Sequence, residues 1–229
     1  MPEAIPREQL LRSLGLLVRG LSSLFWGLPV TLILCFHTAR ADSLKTLGVL
    51  PSLLSTVWLA YALWQIGAFH PQEHIWRNAV DRARVLSLVL CGLSPFLFWS
   101  RRLPQSIFFA FMVTLLGFFA LLFLGSLNHM LRRLGAMLPD ETLRLEIRQF
   151  TALNFGLLAG MFLIMTLSIV FLQIPVHQLP DSLQLFRTLL DRFGLLLGIP
   201  LFLLPLAMTM AMLWKTKEVI LDSLFSGKH

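Results

Sequence analysis

Apolar side chains come in six long runs, separated by short stretches that hold nearly all of the charges. The runs cover approximately residues 20–36, 46–69, 85–99, 106–127, 153–174 and 194–214. They approach or exceed the ~20 residues with which a helix crosses ~30 Å of hydrocarbon. In lipid every backbone N–H and C=O has to be satisfied within the chain, and a helix does this segment by segment. The pattern therefore predicts an all-α polytopic transmembrane helix bundle of about six spans, one integral membrane domain over residues 1–229. The first and third runs are short; Arg19 and Arg84, which precede them, are expected to snorkel to the head groups.

The segments between the runs also carry helical patterns. Leu10, Leu14, Leu17, Leu21 and Leu24 recur at helical spacing with Arg12 and Arg19 off the stripe, which predicts an interfacial helix over about 6–19. Pro139-Asp140-Glu141 places proline and acids where a helix starts, and Glu141, Arg144 and Arg148 can pair along it. After Pro180, Asp181-Ser182-Leu183-Gln184 resembles a capping box, and Gly194 stands where a C-terminal cap is expected. Between them an external amphipathic helix over about 181–193 is predicted, with Leu183, Phe186, Leu190 and Phe193 on its apolar face. A leader with Ala39-Arg40-Ala41 as its cleavage site is disfavoured, because cleavage leaves five clear spans and the leading region carries Glu3 and Glu8.

Composition changes this picture little and charge changes it more. A 56% hydrophobic content and a mean hydropathy of +0.76 exceed what a soluble domain hides. The net charge of +7 is concentrated at segment ends, where it orients helices, so no nucleic-acid partner is expected. If the loops alternate sides, thirteen of the 19 basic residues fall with the two termini, among them Arg12, Arg77, Arg82, Arg84, Arg132, Arg133, Arg144, Arg148, Lys215 and Lys217. The positive-inside bias then puts both termini in the cytoplasm, as in a bacterial cytoplasmic (inner) membrane. Trp64, Trp76 and Trp214 near one face and Trp99 near the other fit an aromatic belt. Cys35 and Cys91 fall within apolar runs and are expected to be free, small hydrophobes.

Candidate chemistry is sparse. His70, Glu73 and His74 cluster at the end of the second run, and Asn128 and His129 end the fourth at a similar depth. Together they make a candidate inner-face polar patch. His70 and His74 have helical i,i+4 spacing, yet no firm third ligand is evident, so capping at the interface is the expectation and no metal is assigned. Within the runs, Tyr61 and Gln65 are the candidate intramembrane polar contacts. Thr31, Ser55, Thr56, Thr114, Asn154, Thr166, Ser168 and Thr209 are milder and read as helix-to-helix or backbone hydrogen bonders. No Asp, Glu, Lys or Arg lies in the central part of any run, where ion-coupled carriers usually place one.

Gly156 with Gly160, and Gly194 with Gly198, have the spacing that lets helices pack closely. Pro29, Pro51, Pro95, Pro200 and Pro205 can kink or interrupt spans. No catalytic signature, catalytic residue or cofactor motif is present. The expectation is a non-enzymatic membrane subunit or scaffold, with lipid and a protein partner or second copy as its neighbours. The alternative is a permease or channel-type transport component, and a membrane enzyme acting on lipid substrates comes third.

Overall fold

The computed structural model describes the backbone of residues 7–40, 47–69, 73–137, 141–173 and 181–226, and the side chains of 12–40, 47–69, 73–137, 144–170 and 200–222. Seven helices occupy them, and no strand occurs among the described residues. They are α1 (Arg7–Arg40), α2 (Leu50–Ile66), α3 (His74–Leu93), α4 (Phe96–Arg102), α5 (Ile107–Met137), α6 (Glu141–Gln173) and α7 (Asp181–Ser226). Four stretches are long and apolar enough to cross a membrane: Arg12–Arg40, His74–Arg102, Ile107–Met137 and Arg144–Val170; Leu50–Ile66 is apolar but shorter. An integral membrane protein built as a helical bundle follows from them.

Several junctions differ from the sequence expectation. Residues 6–19 do not form a separate interfacial helix, because α1 runs unbroken from Arg7 to Arg40. Leu17, Leu21 and Leu24 are buried in the bundle, so the leucine stripe that suggested an interfacial face is a core face. Gly20, at the expected junction, answers to a close approach and not to a turn. A Cβ there meets Ile66 Cγ1 at 2.5 Å and the Ala62 carbonyl oxygen at 3.0 Å. The segments 181–193 and 194–214 likewise belong to one helix of 46 residues that passes through Gly194, so that glycine caps nothing. The side chains of the predicted external amphipathic face lie outside the described residues.

The prolines separate into two kinds. Pro29 and Pro200 and Pro205 sit inside continuous helices, while Pro95 marks a true break between α3 and α4. Pro51 sits at the start of α2, where its missing N–H has no intrahelical partner to lose. The predicted span 85–99 is thus two helices meeting at Ser94 and Pro95, and Arg84 belongs to the same helix as the residues it was expected to precede.

In the bundle α1 lies along α2, α3 lies along α5, and α5 also meets α4, α6 and α7. The core runs from Leu17, Leu21 and Leu24 through Leu63 and Ile66 to Leu127, Leu131 and Leu213. Burial is inverted relative to a protein in water. Ser52, Asn128, Asn154 and Thr209 are buried, while Trp26, Leu54, Ile107 and Leu163 are exposed. With hydrocarbon outside, an apolar exterior carries no penalty and polar groups turn inward to find partners.

The basic ends of the helices gather at one end of the bundle. Arg84 reaches the end of α2, Arg144 donates to the Ala136 carbonyl of α5, and Lys215 pairs with Glu146. A Gly20→Val substitution is expected to cost about 1–3 kcal/mol through overpacking of the α1–α2 contact. Gly15→Ala, at a site where a Cβ meets nothing within 4 Å, is expected to be neutral or to stabilise by up to about 1 kcal/mol. Thermal unfolding of the two variants in detergent checks the contrast; equal effects sink the close-approach assignment.

Candidate functional site

The predicted inner-face patch does not come together as one cluster. His70 lies outside the described residues. Glu73 is the N-cap residue of α3, in extended conformation and without a side-chain capping bond, and His74 begins the helix; both are exposed. The buried residue of this corner is Trp76, whose Nε1 donates to the Phe69 carbonyl at 2.9 Å and whose ring meets Phe69 edge-on. Asn128 and His129, adjacent on α5, point about 100° apart. Asn128 is buried toward α7, and His129 lines a groove toward α3. No group of three or more His, Cys, Asp or Glu among the described residues is placed to hold a metal ion.

Arg84 does something other than snorkel. Its Nε donates to the Leu63 carbonyl at 3.4 Å and its Nη2 to the Trp64 carbonyl at 3.2 Å, with the guanidinium 5.2 Å from the Trp64 ring centroid. Those carbonyls belong to the last turn of α2, at the negative end of the helix dipole; the Leu63 carbonyl also accepts from the Gly67 N–H at 3.1 Å. Asp81 orients the same guanidinium at 3.1 Å and also pairs with Arg77 at 3.7 Å. A Cβ on Gly67 collides with the Arg84 guanidinium, so glycine there makes room for the cation.

A cavity of about 1130 Å³ lined by described residues is an open groove walled by α3, α5 and α6. Asn78, Asp81, Arg82 and His129 form its polar end. Leu121, Leu158 and Phe162 are among the residues of its apolar length. On α5, His129 and Leu121 are eight positions apart, or ~12 Å along the axis. A second, apolar cavity of about 310 Å³ is bounded by Leu28, Cys35, Leu59, Val113 and Leu206, among others. Cys35 and Cys91 are both free thiols.

At membrane depth most hydroxyls bond a carbonyl of their own helical turn, as Thr114 and Ser168 do, and a subset of polar side chains joins helices. Thr31 Oγ1 donates to the Ser55 carbonyl at 3.1 Å, and Thr56 Oγ1 to Ser94 Oγ at 3.4 Å. The densest network is centred on Thr209 of α7. Its hydroxyl oxygen accepts from Asn154 Nδ2 of α6 at 3.0 Å and from Asn128 Nδ2 of α5 at 3.2 Å. The same hydroxyl donates to the Pro205 carbonyl at 2.8 Å, which fills its capacity of one donor and two acceptor positions. Asn154 Nδ2 also reaches the Pro205 carbonyl, at 3.2 Å, while its Oδ1 is buried without a hydrogen-bond partner.

Of the two polar contacts singled out in the sequence, Tyr61 is 60% exposed on the outside of α2. Gln65 holds a buried Oε1 with no hydrogen-bond partner. Sequence reasoning had Asn154 and Thr209 only as members of a general polar set. Asparagine at the edge of an apolar run, where its amide is costly to leave unmet, was the available signal. The glycines expected to pack helices fare differently. A Cβ on Gly156 or Gly160 meets nothing within 4 Å, so neither supports a close approach among the described residues; besides Gly67, the close approaches there are at Gly20, Gly27, Gly117 and Gly135. Gly194 and Gly198 are within α7, and their surroundings lie outside the described residues.

The chain matches no protein-family model, no curated protein and no solved structure.

Replacing Thr209 by Val keeps the shape and removes the shared hydroxyl. With membrane hydrogen bonds worth roughly 0.6 to 1.7 kcal/mol each, and two helix-to-helix bonds removed while Asn128 and Asn154 keep their bonds to the Leu124 and Pro205 carbonyls, the expected loss is about 1–3 kcal/mol. Thr166→Val serves as control, since Thr166 is exposed and bonds only the Phe162 carbonyl of its own turn. Unfolding in mixed detergent micelles measures both; a neutral Thr209→Val rejects the central role of the hydroxyl.

Proposed function

We propose that this chain is a non-enzymatic membrane subunit or scaffold, whose open α6 face docks a helix of another membrane protein or of a second copy. The observation that carries this is a stripe on α6 that no described residue covers. Leu153, Gly156, Gly160, Leu163 and Leu167 follow one another at helical spacing. Leu153 and Leu163 are 61% and 60% exposed, and both glycines are open to an incoming backbone. Gly-x-x-x-Gly is the spacing at which small residues let a second membrane helix come close. The intramembrane polar groups add support, because Thr31, Thr56, Asn128, Asn154 and Thr209 are spent on holding helices together. Transport along Tyr61 and Gln65 needs both on one path, and Tyr61 faces outward.

The topology we infer has six crossings, with α3 and α4 sharing one, in a bacterial cytoplasmic (inner) membrane. Both termini then lie on the cytoplasmic side with the basic end of the bundle, which the positive-inside rule favours. Reporter fusions after residue 226 are expected to score as cytoplasmic, and a fusion between α4 and α5 as external; the opposite pattern overturns the orientation.

The docking role is tested by affinity purification in mild detergent followed by mass spectrometry and by size analysis. The full chain is expected to travel with a stoichiometric membrane protein or as an oligomer. Replacing both Gly156 and Gly160 by Ile is expected to abolish that association, with helix content unchanged because a Cβ at either position meets no described atom within 4 Å. A chain that purifies alone, or a double variant that keeps its companion, defeats the proposal.

A further inference from the structure

We propose that the groove between α3, α5 and α6 binds one anionic phospholipid, with its headgroup phosphate at Arg82 and an acyl chain along Leu121, Leu158 and Phe162. The volume of about 1130 Å³ lies just above the ~300–1,000 Å³ of ordinary small-molecule sites, and the groove is open along its side, as an entrant from the bilayer requires. Its chemistry is polarised. The polar groups sit at one end, the basic end of the bundle, and the rest of the wall is hydrocarbon.

The charge at that end is not self-compensated. Asp81 is the carboxylate lining the groove, and it is engaged by Arg77 and Arg84 of its own helix. Arg82 has no carboxylate partner among the described residues. Arg132 and Arg133 on α5 act on His129 together with Arg82, so cations converge there from two helices. A guanidinium at the edge of hydrocarbon gains most from a partner that brings negative charge and two oxygens, as a phosphate does. A small soluble anion meets the charge and leaves the apolar wall uncovered. A zwitterionic lipid covers the wall and brings its own cation toward Arg82, Arg132 and Arg133. An anionic phospholipid satisfies both ends of the groove.

This site uses a different face of α6 from the helix-docking stripe. Phe155, Ala159 and Phe162 line the groove, each one residue from Gly156, Gly160 and Leu163, or ~100° around the helix. Loss of either proposal therefore leaves the other standing.

Native mass spectrometry of the full chain, equilibrated with equal amounts of phosphatidylglycerol and phosphatidylcholine in mild detergent, tests the site. The expected result is preferential retention of one phosphatidylglycerol. Arg82→Gln is expected to lower that retention about fivefold, the effect of one arginine at an anionic lipid surface. Phosphatidylcholine retention stays unchanged. Arg148→Gln removes the same charge from an exposed position outside the groove and is expected to behave as wild type. Ala159→Trp fills the apolar wall and is expected to lower retention of both lipids. Equal retention of the two lipids by the wild-type chain overturns the proposal. So does an Arg148→Gln effect as large as that of Arg82→Gln, which signals diffuse charge. An Ala159→Trp chain that retains lipid as before also overturns it, since the headgroup end alone, as with free phosphate, then accounts for binding. Arg82 and Ala159 are both exposed, so the variants keep the core intact, and the wild-type lipid preference decides independently of any variant.

Discussion

Thr209 is the hydroxyl on which the second half of the bundle turns. It accepts from asparagines on two other helices while donating within its own, so α5, α6 and α7 share a single oxygen. In hydrocarbon an unmet amide has no water to fall back on, and three helices that satisfy one another in this way are fixed in rotation and depth together. Helix α6 depends on this more than the others, because it meets the bundle mainly through α5 and α7. Near its start Glu146 pairs with Lys215, and two turns on Asn154 meets Thr209, so two polar links pin the antiparallel seam. Gly135 allows Ile147 to come close on the α5 side. Phe162 of the groove face also meets Phe118 of α5 edge-on, and no described residue covers the face of Gly156 and Gly160.

The first half is held by a different device. Arg84 bonds two carbonyls at the end of α2 and is oriented by Asp81, so a charge on α3 adds to the cap that the Gly67 N–H gives this helix end. The neutralisation of Asp81 has a consequence at the neighbouring position. Arg82, one residue on from the acid, turns into the groove with no acid left to meet it. The ion pairs of α3 thus close on Arg77, Asp81 and Arg84, and among the described residues Arg82 has no carboxylate partner.

The helical class and most of the apolar segments were legible in the sequence, because hydrophobic run length is set by the bilayer and not by tertiary detail. Junctions were not. At Gly20 and Gly194 a small residue within a continuous pattern looks the same whether it ends a helix or admits a neighbour, and the helices run through both. Pro29 and Pro95 also look alike in sequence, yet only Pro95 sits at a break. The candidate patch failed as a cluster for a similar reason. Proximity in sequence put Asn128 beside His129, and helix rotation sent one to the core and the other to the groove. The role of Arg84 was hidden because its partners are backbone carbonyls, which carry no sequence signal.

Periodicity alone separates the three faces of α6. Positions 147, 151, 154 and 158 turn to the core, where Ile147, Thr151, Asn154 and Leu158 are buried. Stepping one residue on, 155, 159 and 162 border the groove, and one further, 156, 160, 163 and 167 lie open. At ~100° per residue these sets cover the whole circumference, and their compositions differ as their surroundings do. The core set carries the amide and hydroxyl, the groove set is aromatic around a single alanine, and the open set places two glycines between leucines. A helix that only had to be solvated by lipid has no need to distinguish its two outer faces. An aromatic face offers a flexible acyl chain shallow contact and a glycine face admits another backbone, so the two proposed neighbours of α6 call for the two different compositions that its outer faces carry.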